Sequence, residues 1–253
     1  MNTIFFGNNN AAVRCMKWMC ENGHRPAGLV LNPPQTRRHA DELIDASGLS
    51  DDFIFDGARL AEQQTMDALA ALHPSIGLSV LYGKLIRPEV ADLFSHGIVN
   101  LHPGFLPYNR GAYPNVWSIL DRTPAGVTLH YIDAGLDTGD IIEQRMVEVL
   151  PIDTGRTLYH KLEIAMLELL KCEWPTVASS RNKRTPQDPS HGTYRRRNDV
   201  DDIDCIDLDS IVRAGDLIDL LRARSFPPYP GAYFEHEGRR VNVVIDLSYA
   251  DQG

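Results

Sequence analysis

The chain has 253 residues, 43% of them hydrophobic and 23% charged, the balance of one large globular domain or of one domain with a small appendage, with a core able to enclose a small-molecule site. A net charge of -9 argues against nucleic acid as the main partner, because phosphate neutralisation needs a basic face, and leaves room for a small anion held by local Arg and Lys. Cys15, Cys20, Cys172 and Cys205 form no C-x-x-C pair, no run resembles a secretory leader, and none reaches membrane-spanning length, so the chain reads as a reduced, cytoplasmic protein without a membrane partner.

Thr3–Phe6 is a short apolar strand ended by Asn8-Asn9-Asn10. A helix follows with Ala12, Cys15, Met16 and Met19 on one face, Cys15 and Cys20 reading as buried thiols, and stops near Gly23; Pro26–Leu31 is the next strand. Strand, helix and strand in this order predict a parallel pair. The pattern continues with a helix over 37–46, a brief strand over 53–55, a helix over 60–72, and apolar strands over 75–81 and 98–101. This alternation is an α/β sheet, Rossmann-like, with helices on both faces. A Pro- and Gly-rich loop, 103–114, has the length of a functional loop. A helix over 115–120, strands over 126–132 and 141–149, and a long helix over 155–177 behind Asp153-Thr154 complete the main body. Residues 183–202 read as a polar surface crossing; a helix over 208–224, a rigid turn at Pro227–Gly231 and a hairpin around Gly238 follow. The expected division is 1–182, a connecting segment 183–202, and a small C-terminal part 203–253.

Three groups stand out chemically. Asn100 and His102 are two apart at a strand end, so they point to the same side. An Asn amide can donate to a developing oxyanion, and His can move protons near neutral pH. Asp137, in Gly135-Leu136-Asp137-Thr138-Gly139, can orient and charge-stabilise that histidine. Together they meet the needs of acyl transfer. His130 is either a support for the site or a plain strand histidine. Asn8-Asn9-Asn10, at the first strand-to-helix turn, is either an anion site or a helix cap; it is no G-x-G-x-x-G fingerprint. The cysteines and histidines show no metal-ligand spacing, so no metal is expected.

Asn100-Leu101-His102-Pro103-Gly104-Phe105-Leu106-Pro107 coupled to Gly135–Gly139 resembles the folate-dependent formyltransferases, a group that includes glycinamide ribonucleotide, methionyl-tRNA and nucleotide-sugar N-formyltransferases. The resemblance covers roughly residues 1–180. It implies that Asn100, His102 and Asp137 are catalytic, and that a formyl group passes from 10-formyltetrahydrofolate to an amine. It also implies that Tyr82, Gly83, Lys84, Leu85 and Ile86 lie against the folate, with Asp133, Ala134 and Gly135 on the other wall.

For the acceptor, the loop holding Phe105, Tyr108, Asn109, Arg110 and Tyr113 looks most like that of the sugar N-formyltransferases: Arg110 would hold a pyrophosphate, with Asn8, Asn9 and Asn10, and the aromatic rings would pack on base or sugar. Methionyl-tRNA formyltransferases carry a full second β-barrel domain, whereas about fifty residues follow position 202 here. Ser225–Ala232 resembles the short C-terminal part of the sugar enzymes. The implied partner is a nucleotide-linked amino-deoxysugar, for O-antigen or similar glycan synthesis. The alternatives are another amine acceptor, methionyl-tRNA or a hydroxyornithine, or a non-catalytic protein that binds nucleotide sugar or folate. Tyr233, Phe234 and Val243 in the hairpin either make a homodimer contact or cover the main domain.

Overall fold

In the computed structural model, which describes residues 1–250, the elements run β1 (Thr3–Gly7), α1 (Asn9–Glu21), β2 (Gly28–Leu31), α2 (Ala40–Ser47), β3 (Ile54–Asp56), α3 (Gln63–Ala71), β4 (Ile76–Val80), α4 (Pro88–Ala91), β5 (Ile98–His102), β6 (Arg110–Gly111), α5 (Pro114–Leu120), β7 (Gly126–Tyr131), β8 (Ile141–Met146), α6 (Gly155–Ala178), β9 (Tyr194–Arg195), α7 (Asp201–Asp204), α8 (Ala214–Ala223), β10 (Tyr233–His236) and β11 (Arg239–Asn242). They form two compact units that interleave along the chain. The first holds residues 1–102, 128–144 and 166–187; the second holds 103–127, 145–165 and 188–253.

The first unit is built on the seven-stranded sheet β3-β2-β1-β4-β5-β7-β8. β1, β2, β3, β4 and β5 are mutually parallel, and β7 runs antiparallel to β5. Strands β1, β2 and β4 are buried at every residue, as expected of a parallel sheet covered on both faces. Ile4, Phe6, Val30, Phe55, Leu69, Val90 and Ile98 cluster on one side. Phe5 alternates to the other, and α1 buries Ala12, Cys15, Met16 and Met19. Cys15 is buried as expected; Cys20 is only half-buried. The chain goes outward from β1 to β2 and β3, then returns to add β4 and β5 on the far side. That reversal is a topological switch point, and ligands of open α/β sheets bind outside the carboxyl ends of the strands there. Gly7, Val80 and His102 end β1, β4 and β5 at that edge.

In the second unit α5 packs on α8, and β10 and β11 form the expected hairpin, Tyr233 opposite Asn242. Arg222 donates to the carbonyls of Leu150 and Asp153, fixing the turn that leads into α6. The predicted helix over 208–224 begins only at Ala214. Asp207 accepts from the Asp209 amide through its side chain and from the Ser210 amide through its carbonyl, a turn that competes with helix, and Ile211 and Val212 are β-branched. Likewise α3 starts at Gln63 rather than 60, because Arg59 and Glu62 close successive turns on Asp56 and Arg59. The crossing 183–202 carries a strand not foreseen: β9 pairs in parallel with β6.

Candidate active site

Asn100 and His102 sit at the carboxyl end of β5 and alternate to the same side, as their spacing requires. β7 brings His130 directly opposite Asn100. The loop after β7 returns Asp137 to both. His102 Nδ1 lies 3.6 Å from one carboxylate oxygen of Asp137, and His130 Nε2 lies 3.6 Å from the other. The two imidazoles meet edge to face, 6.2 Å between centroids. His102 and His130 are almost fully buried, and the Asp137 side chain is 12% exposed. A carboxylate so enclosed is little screened by solvent from the rings beside it.

His130 has its tautomer set by the backbone. Its Nδ1 lies 2.8 Å from the Tyr131 carbonyl, an acceptor, so Nδ1 carries the hydrogen and the neutral ring presents a lone pair at Nε2. Asn100 Nδ2 donates into that lone pair at 3.2 Å. The same nitrogen is 3.4 Å from Asp137 Oδ1. Distances of 3.2, 3.4 and 3.6 Å make a nearly equilateral triangle, so the two acceptors subtend roughly 65° at Nδ2. The hydrogens of a planar amide stand about 120° apart. The amide therefore turns its nitrogen edge toward His130 and Asp137, which makes Nδ2 rather than Oδ1 the atom held at this end of the site.

The Asp137 loop is braced. Asp137 itself has a left-handed backbone, φ +54°, tolerable for Asp. Asp133 accepts from the Gly135 amide at 3.0 Å and the Thr138 hydroxyl at 2.6 Å. A Cβ at Gly139 would run into the Tyr131 carbonyl, so the loop's neck admits only glycine there. Asp133, Ala134 and Gly135 are exposed.

The remaining expected positions divide. Tyr82–Ile86 follow β4 at the same strand edge, but their side chains differ. Gly83, Lys84 and Leu85 are exposed, while Ile86 is buried in the core. Tyr82 turns inward, edge-on to Phe6 at 5.6 Å, its hydroxyl against Gly57. That hydroxyl has no hydrogen-bond partner among the described residues, and burial, then the nearby Asp56, pushes its pKa up to about 12. Tyr82 thus presents main chain rather than ring. Asn8 is buried at the N-cap of α1, but its Oδ1 accepts from the Arg38 amide at 2.7 Å and makes no side-chain cap bond to the helix. Asn9 is half-buried and Asn10 exposed.

In the second unit, Asn109 departs from expectation. It is fully buried, with Nδ2 on the hydroxyls of Ser118 (3.0 Å) and Thr123 (2.9 Å), and is an internal tie of the loop rather than a ligand-facing group. Its loop is sewn to the 193–195 segment: the Arg110 and Ala112 amides donate to the Thr193 and Arg195 carbonyls, each at 3.0 Å. Arg195 in turn lies over the Trp117 ring and pairs with Asp121. Phe105, Tyr108 and Arg110 are half-buried, and Tyr113 is exposed at the start of α5. Among the described residues no cluster of His, Cys, Asp or Glu is arranged to hold a metal, and no helix is long and apolar enough to cross a membrane.

Sequence reasoning left His130 undecided and gave Gln187 no role. In the structure His130 is the acceptor for Asn100, and Gln187 Nε2 donates to the carbonyls of Asp137 and Gly139. Known proteins resemble this chain. A methionyl-tRNA formyltransferase of Anaeromyxobacter dehalogenans is 30% identical over 264 residues, 99% of this chain and 81% of that protein. A 4-N formyltransferase from Francisella tularensis is 27% identical with a TM-score of 0.83, covering 98% of this chain and 99% of that one. The formyltransferase PseJ from Anoxybacillus kamchatkensis, solved with UDP-4,6-dideoxy-4-formamido-L-AltNAc and tetrahydrofolate, is 27% identical with a TM-score of 0.58, covering 80% of this chain and 89% of that one. The N-formyltransferase dimerization C-terminal domain matches residues 199–249. Formyl transferase matches residues 9–170, and the chain belongs to that family.

Proposed function

We propose that the protein transfers a formyl group from 10-formyltetrahydrofolate to the amino group of a nucleotide-linked amino-deoxysugar, for a cytoplasmic step in O-antigen or similar glycan synthesis. The observation that carries the chemistry is the convergence of Asn100 and His102 on the largely enclosed Asp137 carboxylate. The amine adds to the formyl carbon, and the C=O electrons move onto oxygen. Asn100 donates an Nδ2 hydrogen to that oxyanion, an interaction worth about 3 kcal/mol in comparable sites. His102, held by Asp137, takes the proton from the attacking nitrogen and returns it to the nitrogen that leaves. The C–N bond to the folate breaks, giving the formamide and tetrahydrofolate, without a metal.

The exposed main chain at Tyr82–Leu85 and Asp133–Gly135 suits the pterin, and the relative solved with tetrahydrofolate supports that reading. Arg110, Phe105, Tyr108 and Tyr113 of the second unit are assigned to the nucleotide, and the Asn8–Asn10 turn of the first unit is assigned separately to an anion. Residues 1–182 make up the proposed catalytic domain, 183–202 its connection, and 203–253 the dimer-forming part. Supporting a sugar acceptor are the end-to-end match to a 4-N formyltransferase, the dimerization pattern in the tail and the charge of -9. A second reading, methionyl-tRNA as acceptor, is favoured by relatives such as that of Anaeromyxobacter dehalogenans. Incubation with 10-formyltetrahydrofolate and a panel of nucleotide amino sugars, followed by mass spectrometry, tests the proposal. A formyl mass gain on a sugar supports it, and a gain on methionyl-tRNA alone supports the second reading.

A further inference from the structure

Residues 182–187, downstream of α6, run as a strap along the Asp137 loop. Thr185 and Ile141 exchange both backbone hydrogen bonds, at 2.8 and 2.9 Å. The Tyr131 hydroxyl donates to Asn182 Oδ1 at 3.2 Å, and the Arg184 guanidinium lies 3.6 Å above the Tyr131 ring. At the end of the strap Gln187 Nε2 donates to the Asp137 carbonyl at 2.9 Å and to the Gly139 carbonyl at 2.8 Å. Both of its hydrogens are committed, while its Oε1 is buried with no partner among the described residues. Turning the amide over would set that oxygen against two carbonyl oxygens. The contact thus persists despite an unsatisfied acceptor, and it falls on a backbone held left-handed.

From this we infer that Gln187 is a positioning residue: by pinning the main chain on both sides of Thr138 it sets the Asp137 carboxylate between His102 and His130. The inference rests on the proposed role of Asp137 and is otherwise independent of the acceptor. Sequence alone hid it, since the strap reads as polar surface.

The test uses Gln187→Leu, which removes both donors, and Gln187→Glu, which keeps the shape and replaces donors with acceptors. Both are expected to lower kcat about tenfold, as a sub-ångström misplacement of a catalytic group does, with KM for both substrates little changed. In an Asp137→Asn background Gln187→Leu is expected to add no further loss. Amide hydrogen exchange at 137–141 is expected to quicken in both variants while the strands keep their protection. Unchanged exchange in this loop, unchanged kcat, or an equal loss in the Asp137→Asn background would each overturn the inference. Should Gln187→Leu not fold, Gln187→Glu carries the same readings. If the wild-type protein forms no formamide, the proposed function fails, while the exchange result still decides whether Gln187 holds the loop.

Discussion

Asn100 and His130 face each other in register across the antiparallel pair β5–β7, with Asn100 Nδ2 3.2 Å from His130 Nε2. The imidazole accepts because its other nitrogen is spent on a backbone carbonyl. One histidine thereby dictates which way an amide points. In the proposed reaction the consequence is chemical: the nitrogen of the amide, not its oxygen, is the group assigned to the reacting carbonyl.

Replacing Asn100 by Ala removes that donor. Turnover is expected to fall on the order of a hundredfold or more, about 3 kcal/mol of transition-state stabilisation. Affinity for a folate analogue, measured by calorimetry, is expected to stay near the wild-type value. His102→Asn is expected to lose at least as much turnover, since proton transfer goes with it.

His130→Leu leaves the Asn100 amide held only by Asp137 Oδ1, 3.4 Å away. A loss of about tenfold in kcat is expected, equal to about 1.4 kcal/mol and within the coupling range of residues in contact. Combined with Asn100→Ala the losses should not add, because His130 acts through Asn100. Additive losses in the double variant would assign His130 a role of its own.

The alternation of Asn100 and His102 was legible because a strand has period two, and Asp137 through its motif. What the sequence hid depends on where the chain returns. Gln187 reaches Asp137 across 50 residues of sequence, and no local pattern in a polar coil encodes that meeting. Asn109 sits in a loop whose composition suits ligand binding, yet its left-handed backbone and the hydroxyls of Ser118 and Thr123 turn it inward. At 208–213 the apolar spacing suggested helix, and a local Asp207 turn prevailed.

Acid should weaken the second unit through Asp219. Burial by itself would raise its pKa, but hydrogen bonds from Arg222 (2.7 Å) and Arg122 (3.0 and 2.8 Å) hold it below the ordinary carboxylate value. A folded pKa below the unfolded one gives stability that is complete above the unfolded value, about 3.9, and lost as pH falls through the folded value. The gap in urea midpoint between wild type and Asp219→Asn is therefore expected to be widest near neutrality and to narrow as the pH falls below the ordinary carboxylate value. A gap constant across this range contradicts the assignment.

Tyr82→Phe removes a buried hydroxyl that lacks a partner. Stability is expected to be unchanged or higher by about 1 kcal/mol. In the wild type burial raises the phenol pKa to about 12, so as pH rises above the ordinary value near 10 the unfolded chain ionises first and stability falls until the folded phenol also ionises. Absorbance titration of the phenolate checks this.

Leu208, Ile211 and Val212 are exposed, Ile211 completely, in the part of the chain that matches the dimerization domain. Ile211→Asp is expected to shift the protein toward monomer in sedimentation velocity with its far-UV circular dichroism unchanged. A variant that stays dimeric would move the interface elsewhere, the exposed Val241 of the hairpin being the next surface to test.

The central claim, that Asn100 and its partners formylate a nucleotide-linked sugar amine, is tested most directly by side-by-side kcat/KM values for a nucleotide amino sugar and for methionyl-tRNA, each with 10-formyltetrahydrofolate. The account expects turnover on the sugar to exceed that on the tRNA by several orders of magnitude and to collapse in Asn100→Ala. Comparable or greater turnover on methionyl-tRNA, or sugar formylation that survives Asn100→Ala, would contradict it.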